Sequence, residues 1–308
     1  ALTDVLRLSK AMSYKAAAAG LDLGGGKGVI IGEPRTLKTE RLMRAYGRVV
    51  DSLGGRYVTA EDVGTTARDM LDISRETKWV TGIPEVHGGS GDPSPATARG
   101  VLAAMRSVAQ RLWDTDDLSG RTVAIQGVGK VGASLVQRLS KAGAKVVVAD
   151  VNDAAVADME REYGARPVSD TDIYDVPCDI FAPCALGGSL SRATIPRLRC
   201  RAVVGAANNQ LATEADADRL ADAGILYAPD FVVNAGGIIN ITEELHGYSW
   251  ERAAVALDLV GDNLTRVLDA ADEEGVNPNV AAIALAQKRM VAIGGLGTRR
   301  RAGRSLAT

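Results

Sequence analysis

The 308-residue sequence predicts an α/β fold in two domains, the second built on a doubly wound parallel sheet. Three observations carry this. The length exceeds that of one typical domain. From Arg121 onward, short β-branched apolar runs alternate with helical stretches. Those runs lack strict polar alternation, which suits strands buried on both faces of a parallel sheet.

In chain order, Leu2, Val5, Leu8, Met12, Ala16 and Ala19 recur at helical spacing, and Gly20 is a natural stop. The glycine-rich GLDLGGGK leads into KGVIIGEP, expected as a strand. TERLMRAYGRVVDSLG is expected as an amphipathic helix, and RYVTAED as a second strand. HGGSGDPSPATARG, His87 to Gly100, reads as a hinge loop, and helical periodicity resumes in ATARGVLAAMRSVAQRLW. RTVAIQG, KVVVAD, CDIFAPC, RAVVGAA and ILYAP are the expected sheet strands. SWERAAVALDLVGDNLTRVLDAADEEG and NPNVAAIALAQKRM form two later helices expected to pack back on the first domain. The arginine-rich tail has no periodicity and reads as frayed. Ala1 falls inside a helical pattern with no capping residue ahead of it, so the chain reads as a fragment and the first domain as incomplete.

Composition narrows the function. With 36 basic and 38 acidic residues the net charge is −2, which offers no field for nucleic acid or an anionic membrane and favours small-molecule chemistry. No apolar run approaches the roughly 20 residues of a membrane span, and no signal segment opens the chain. Cys178, Cys184 and Cys200 are odd in number and lack zinc-site spacing, while His87 and His246 stand isolated. No metal and no disulfide framework are expected, and a reducing cytoplasm fits.

RTVAIQGVGKVGASLVQRLSKAGAKVVVAD carries G-x-G-x-x-G as Gly127, Gly129 and Gly132, entered from a strand and left through a helix. Asp150 ends the next strand 23 positions after Gly127, close to the spacing of about 20 for a ribose-binding acid. Gly127 permits the turn, Gly129 lets the backbone approach a pyrophosphate, Gly132 allows close packing, and the helix N-terminus faces the phosphates. Glycines kept only for packing are the weaker explanation of all four elements together. The domain is thus expected to be of Rossmann type, and the carboxylate of Asp150 favours NAD over NADP.

Lys27 follows three glycines, too short a run for a linker and without the spacing of a phosphate-binding P-loop. A substrate lying against the glycine backbone, with a partly desolvated ammonium reaching it, is the remaining local explanation. Lys15 falls at the edge of the apolar stripe of the first helix, where a surface lysine is equally expected. Asp62 ends an expected strand and by local sequence reads as a helix cap.

MSYKAAAAGLDLGGGK, GRYVTAEDVGT, GDPSPATARGV, QGVGKVG, DIFAPCALGG, VVGAANNQLA and ILYAPDFVVNAGGIIN together resemble the amino-acid dehydrogenases of the glutamate, leucine, phenylalanine and valine group, most of all its branched-chain members. The resemblance implies NAD-dependent interconversion of an L-amino acid with its 2-oxo acid and ammonia, in homo-oligomers. By motif, Lys15 grips the substrate carboxylate, Lys27 is the catalytic lysine and Asp62 the catalytic acid, displacing the cap assignment. Asn234 orients substrate, and with Thr97, Val131, Cys184, Ala185, Ala207 and Asn208 it belongs to motifs on the cofactor side. Leu257 and Val260 resemble pocket-lining positions and Ala60 adds a small apolar wall. Such a pocket offers no partner to a second carboxylate and disfavours glutamate. Lysine and aspartate neighbours would tune Lys27 in opposite directions, the other cation lowering its pKa and the acid raising it.

The expected division is a substrate domain over 1–117, an NAD domain over 118–248, packing helices over 249–293 and a tail over 294–308. Family members carry a preceding segment with further strands, so weak or no activity is expected of this span alone and activity of a full-length parent. Phenylalanine-type specificity and a non-catalytic NAD-binding protein are the competing expectations. The second should have lost one of Lys15, Lys27 or Asp62.

Overall fold

The computed structural model describes residues 1–294. The tail expected over 294–308 lies outside the described residues except for Gly294, which ends the last helix.

Helices dominate the first part of the chain. α1 (Leu2–Ala18) stops at Gly20, whose φ of 75° lets Leu21 N donate back to the Ala16 carbonyl. A one-turn α2 (Pro34–Leu37) precedes α3 (Glu40–Ser52), capped by Thr39. α4 (Ala67–Ser74) opens with a reciprocal capping box between Thr66 and Asp69. Met43 of α3 packs on Met70 and Ile73 of α4, with Val80 beside them.

Two expectations fail in this part. KGVIIGEP forms no strand, and RYVTAED contributes only one parallel bridge, Thr59 to Val80. A β-branched run becomes a strand where a neighbouring backbone offers a ladder. Among the described residues none pairs with Val29–Ile31, and Ile31 remains 79% exposed. The expected hinge loop also ends early, because α5 (Ser94–Trp113) begins inside it. Pro95 sits in its first turn and Asp92 Oδ1 accepts from Ser94 N at 2.9 Å.

The sheet follows. β1 (Thr122–Gln126), α6 (Lys130–Lys141), β2 (Lys145–Ala149), α7 (Asp153–Tyr163) and β3 (Arg166–Pro167) form one winding. β4 (Ile180–Pro183), β5 (Ala202–Val203), α8 (Ala215–Asp222) and β6 (Leu226–Tyr227) form the other. The order β3-β2-β1-β4-β5-β6 is parallel throughout, a doubly wound arrangement whose switch point lies between β1 and β4. Both faces are buried: Val123 and Ile125 enter the core under α5 and α6, while Ala124 faces Val147, Phe181 and Tyr227 on the other side. The α/β prediction and its parallel sheet are borne out. β3, only two residues long and half proline, carried no readable strand pattern.

After the sheet come α9 (Asp230–Val233), α10 (Gly236–Thr242), α11 (Trp250–Glu274) and α12 (Pro278–Gly294). α11 lies along α5, approaching so closely that a Cβ on Gly261 would stand 2.6 Å from Ser107 Oγ. α12 reaches α1, where Gln287 Nε2 donates to Tyr14 Oη at 3.1 Å and Arg289 donates to the Gly20 carbonyl at 2.7 Å. The late helices thus touch α1 and α5. No described helix is long and apolar enough to cross a membrane.

Candidate active site

The glycine loop is pinned from outside. A Cβ on Gly25 would collide with the Ser9 carbonyl and Ser13 of α1, one on Gly26 would lie 2.6 Å from the Tyr57 ring, and one on Gly28 would strike Tyr46. Ser9 Oγ donates to the Gly25 carbonyl at 2.9 Å. Three of these glycines therefore answer to packing against protein, and only Gly24 of the run faces open space. Their close packing against α1 and the two tyrosines holds the loop that carries Lys27 in place.

Lys27 Nζ forms an ion pair with Asp62. Asp62 does not cap a helix, since the start of α4 is capped by Thr66 and Asp69. Its backbone instead closes a turn with Thr65, accepting from Thr65 Oγ1 at 2.7 Å and donating to it at 2.9 Å. Ala60 is half-buried between this turn and the bridge at Thr59. Burial holds the Lys27 ammonium below the usual lysine range.

Lys15, near the end of α1, points across to the sheet half and donates to Asn208 Oδ1 at 2.9 Å. Burial lowers its pKa to about 8, opposed by the anion of Asp230 and helped by the charge of Lys27. The same Asn208 oxygen accepts from Asn234 Nδ2 at 2.9 Å, and Asn234 also donates to the carbonyls of Ala206 and Ala207. Asn234 Oδ1 is buried with no protein partner, an acceptor left for a ligand. Asn208, expected on the cofactor side, thus also joins Lys15 and Asn234, the two residues expected to bind substrate.

Sequence reasoning missed Asp230. Its carboxylate is 9% exposed and accepts from Gln210 N at 3.0 Å and Phe231 N at 2.6 Å, tying down the loop that presents Asn208. Burial raises its pKa, against the hydrogen bond from Gln210 and the charge of Lys15. An acid after proline at a helix start looks like an ordinary cap, and only the distant Lys15 gives it another role.

The residues expected on the cofactor side gather at the switch point between β1 and β4. Gly127 has φ 98° and its missing Cβ would lie 2.7 Å from Ala185, across the switch point. Gly129 faces nothing within 4 Å, leaving the N-terminus of α6 open to a pyrophosphate. Gly132 packs on the Gly127 carbonyl beside Cys184, and Val131 is half-buried in the same turn. Burial raises the Cys184 thiol to about 12, so it is no nucleophile. Ala207 donates to the Pro183 carbonyl at 2.9 Å. Asp150 Oδ2 accepts from Val128 N at 2.7 Å and Oδ1 from Asn152 N at 2.9 Å, so the acid expected to meet a ribose holds the glycine loop.

Thr97 lies against α10, where a Cβ on Gly236 would be 2.7 Å from its Cα. Leu257 and Val260 are fully buried. A Cβ on Gly100 would meet Val260 Cγ2 at 3.3 Å and the Val233 carbonyl at 3.6 Å, which sets Val260 behind the segment bearing Asn234.

Residues 1–79 match the Glu/Leu/Phe/Val dehydrogenase dimerisation domain, and residues 88–160 and 148–294 match the Glutamate/Leucine/Phenylalanine/Valine dehydrogenase family. The chain is 49% identical over 290 residues to the leucine dehydrogenase of Geobacillus stearothermophilus, covering 94% of this chain and 79% of that protein. It is 50% identical over 293 residues to the valine dehydrogenase of Streptomyces coelicolor, covering 94% and 80%. Among solved structures, the L-tryptophan dehydrogenase of Nostoc punctiforme superposes with a TM-score of 0.85 at 43% identity, covering 96% of this chain and 84% of that one.

Proposed function

The chain belongs to the Glu/Leu/Phe/Val dehydrogenase family, and from that premise we propose how its own residues divide the chemistry. It is an amino-acid dehydrogenase of the leucine and valine type, catalysing oxidative deamination of branched-chain L-amino acids with a dinucleotide cofactor. The observation supporting the site assignment is the convergence of Lys15, Lys27, Asp62 and Asn234 from four separate segments, with Lys27 paired to Asp62 and an unpartnered acceptor on Asn234.

Lys15 holds the substrate carboxylate as a cationic donor. Asn234 Oδ1 accepts from the substrate amine and turns the Cα hydrogen toward the cofactor crevice. A dinucleotide held at the Gly127–Gly132 turn would supply the acceptor for the Cα hydride, whose departure leaves the iminium. Lys27, relieved of its proton, takes one from water as that water attacks the iminium carbon. Asp62 passes a proton to the departing amine. The proton lost by Lys27 goes to its ion-pair partner Asp62, which delivers it to the amine. Leu257 and Val260, packed behind the Asn234 segment, and Ala60, beside the Asp62 turn, are the apolar residues this reading assigns to the side-chain wall. A methylene more or less in such a wall changes selectivity by about 1–3 kcal/mol, which gives a broad branched-chain preference.

NAD is the cofactor of this reading, because the Asp150 carboxylate would accept from ribose hydroxyls and repel a 2′-phosphate. Residues 1–117 and 118–248 act as substrate and cofactor parts, with 249–293 bracing them, in a cytoplasmic homo-oligomer. The test is NADH formation over a panel of L-amino acids, with leucine, valine and isoleucine expected to lead. If no amino acid is oxidised and Lys27→Ala changes nothing, the catalytic assignment is wrong. Faster reduction of phenylpyruvate than of 4-methyl-2-oxopentanoate would move the specificity to the phenylalanine type.

A further inference from the structure

Away from the reacting groups, one carboxylate gathers an unusual set of donors. Glu244 lies in the 3-10 turn Glu243–His246 that follows α10. Its Oε1 accepts from Gly82 N at 2.9 Å, Ser90 N at 2.9 Å and Ser90 Oγ, and its Oε2 from Ile83 N at 3.4 Å. Gly82 and Ser90 are the two ends of a loop whose neck is closed by Gly91 N donating to the Ile83 carbonyl at 3.2 Å. One side chain, 154 to 162 positions away in sequence, therefore clasps both ends of that loop.

Each end leads to a residue of the site. Before Gly82, Thr81 N donates to the Thr59 carbonyl at 2.9 Å, and a Cβ on Gly82 would lie 3.6 Å from Glu61 N, the residue next to Asp62. After Ser90 the chain runs through Asp92 into α5 and Thr97. Glu244 itself is joined by α10 to Asn234. Its turn is braced by Arg252, which donates to Glu243 Oε2 at 2.9 Å, and Tyr248 Oη donates to Asn240 Oδ1 of α10 at 2.9 Å.

We propose that Glu244 is a positioning residue that fixes the separation of Asp62 from Asn234 by clasping the neck of the Gly82–Ser90 loop. Hydrogen bonds to an ionised acceptor are the stronger kind, and Ser90 is 3% exposed, so removing the carboxylate leaves its buried donors without a partner. The loop then shifts, and Asp62 shifts with it relative to a substrate held on the other side. The inference rests on the functional reading above.

The experiment compares Glu244→Ala and Glu244→Gln with the wild type by circular dichroism, thermal melting and steady-state kinetics with protiated and α-deuterated leucine. For Glu244→Ala, kcat is expected to fall about 10- to 100-fold while KM for NAD stays within about twofold, as befits a misplaced reacting group. The deuterium isotope effect on kcat should fall as the hydrolytic steps served by Asp62, rather than hydride transfer, become limiting. Glu244→Gln retains a carbonyl oxygen for Gly82 and Ser90 and should recover most of the loss. A merely structural role would lower the melting temperature and leave kcat and the isotope effect of the folded enzyme unchanged, which overturns the proposal. If Glu244→Ala does not fold, Ser90→Ala, which removes one donor, must lower kcat, and an unaltered kcat overturns the proposal in the same way. A wild type that oxidises no amino acid overturns the functional reading and this inference with it.

Discussion

The two halves of the site are made by different means. Around Gly127 the groups proposed for the cofactor are backbone N–H donors and one helix terminus, within the single unit from β1 to β2, and Asp150 at its end bonds back to Val128. Around Lys27 they are side chains: Lys15 from α1, Asp62 from a turn, and Asn208 and Asn234 from beyond β5 and β6. The first half can be assembled locally and tolerates little change of backbone. The second exists only when remote segments stand at the right separation, and its properties are electrostatic.

The sharpest test of that division is Lys27→Ala. It should lower kcat by about 10²–10⁴-fold, the usual contribution of a positioned proton-transfer group. NAD binding, followed by fluorescence titration, should be unaltered; a matching loss of NAD affinity would join the two halves. Gly127→Ala attacks the other half. A side chain at φ 98°, 2.7 Å from Ala185, should cost about 1–3 kcal/mol of stability by thermal melting. The kcat of enzyme saturated with NAD should change far less than in Lys27→Ala.

Asp230→Asn tests the electrostatic character of the side-chain half. Asp230 holds the Lys15 pKa up against burial, so without that anion Lys15 loses its proton below pH 8 rather than at about 8. The amino-acid KM, low while Lys15 is charged, should then begin to rise at a lower pH than in the wild type, and the two profiles should meet on the acid side. A KM–pH series shows the shift; coincident profiles would remove Asp230 from the substrate half. The smallest effect is expected for Thr66→Ala. It breaks the capping box of α4 and should cost about 1 kcal/mol in denaturant unfolding, with kcat unchanged.

The same division explains what the sequence disclosed. The turn at Gly127, the strands from Thr122 and Lys145 and the long helices α5 and α11 all follow from patterns closed within one or two elements. Residues 28–32 look like a strand because Val29, Ile30 and Ile31 are β-branched, yet strand formation depends on a neighbouring backbone that the run itself cannot specify. Asp62 looks like a cap because acids after strands commonly are, and only its distance to Lys27 distinguishes it. Asp230 and Glu244 carry no local signal. Each sits near proline, aromatic or acidic neighbours typical of a helix end, and each is defined by partners more than 100 positions away, Lys15 for one and Gly82 for the other.

The role proposed for Asp150, set beside its bond to Val128, bears on attempts to change the coenzyme. Redesigning a dinucleotide site for a phosphorylated ribose usually begins by neutralising or reversing the acid at the end of the second strand. Here that acid also receives Val128 N at 2.7 Å, from the residue between the first two glycines. A substitution meant to admit the extra phosphate would release the loop that cradles the pyrophosphate both coenzymes share. Specificity and affinity are mechanically linked at this position, and an exchange of preference needs a replacement acceptor for Val128, such as the side-chain oxygen of Ser or Asn, before any cation is added nearby.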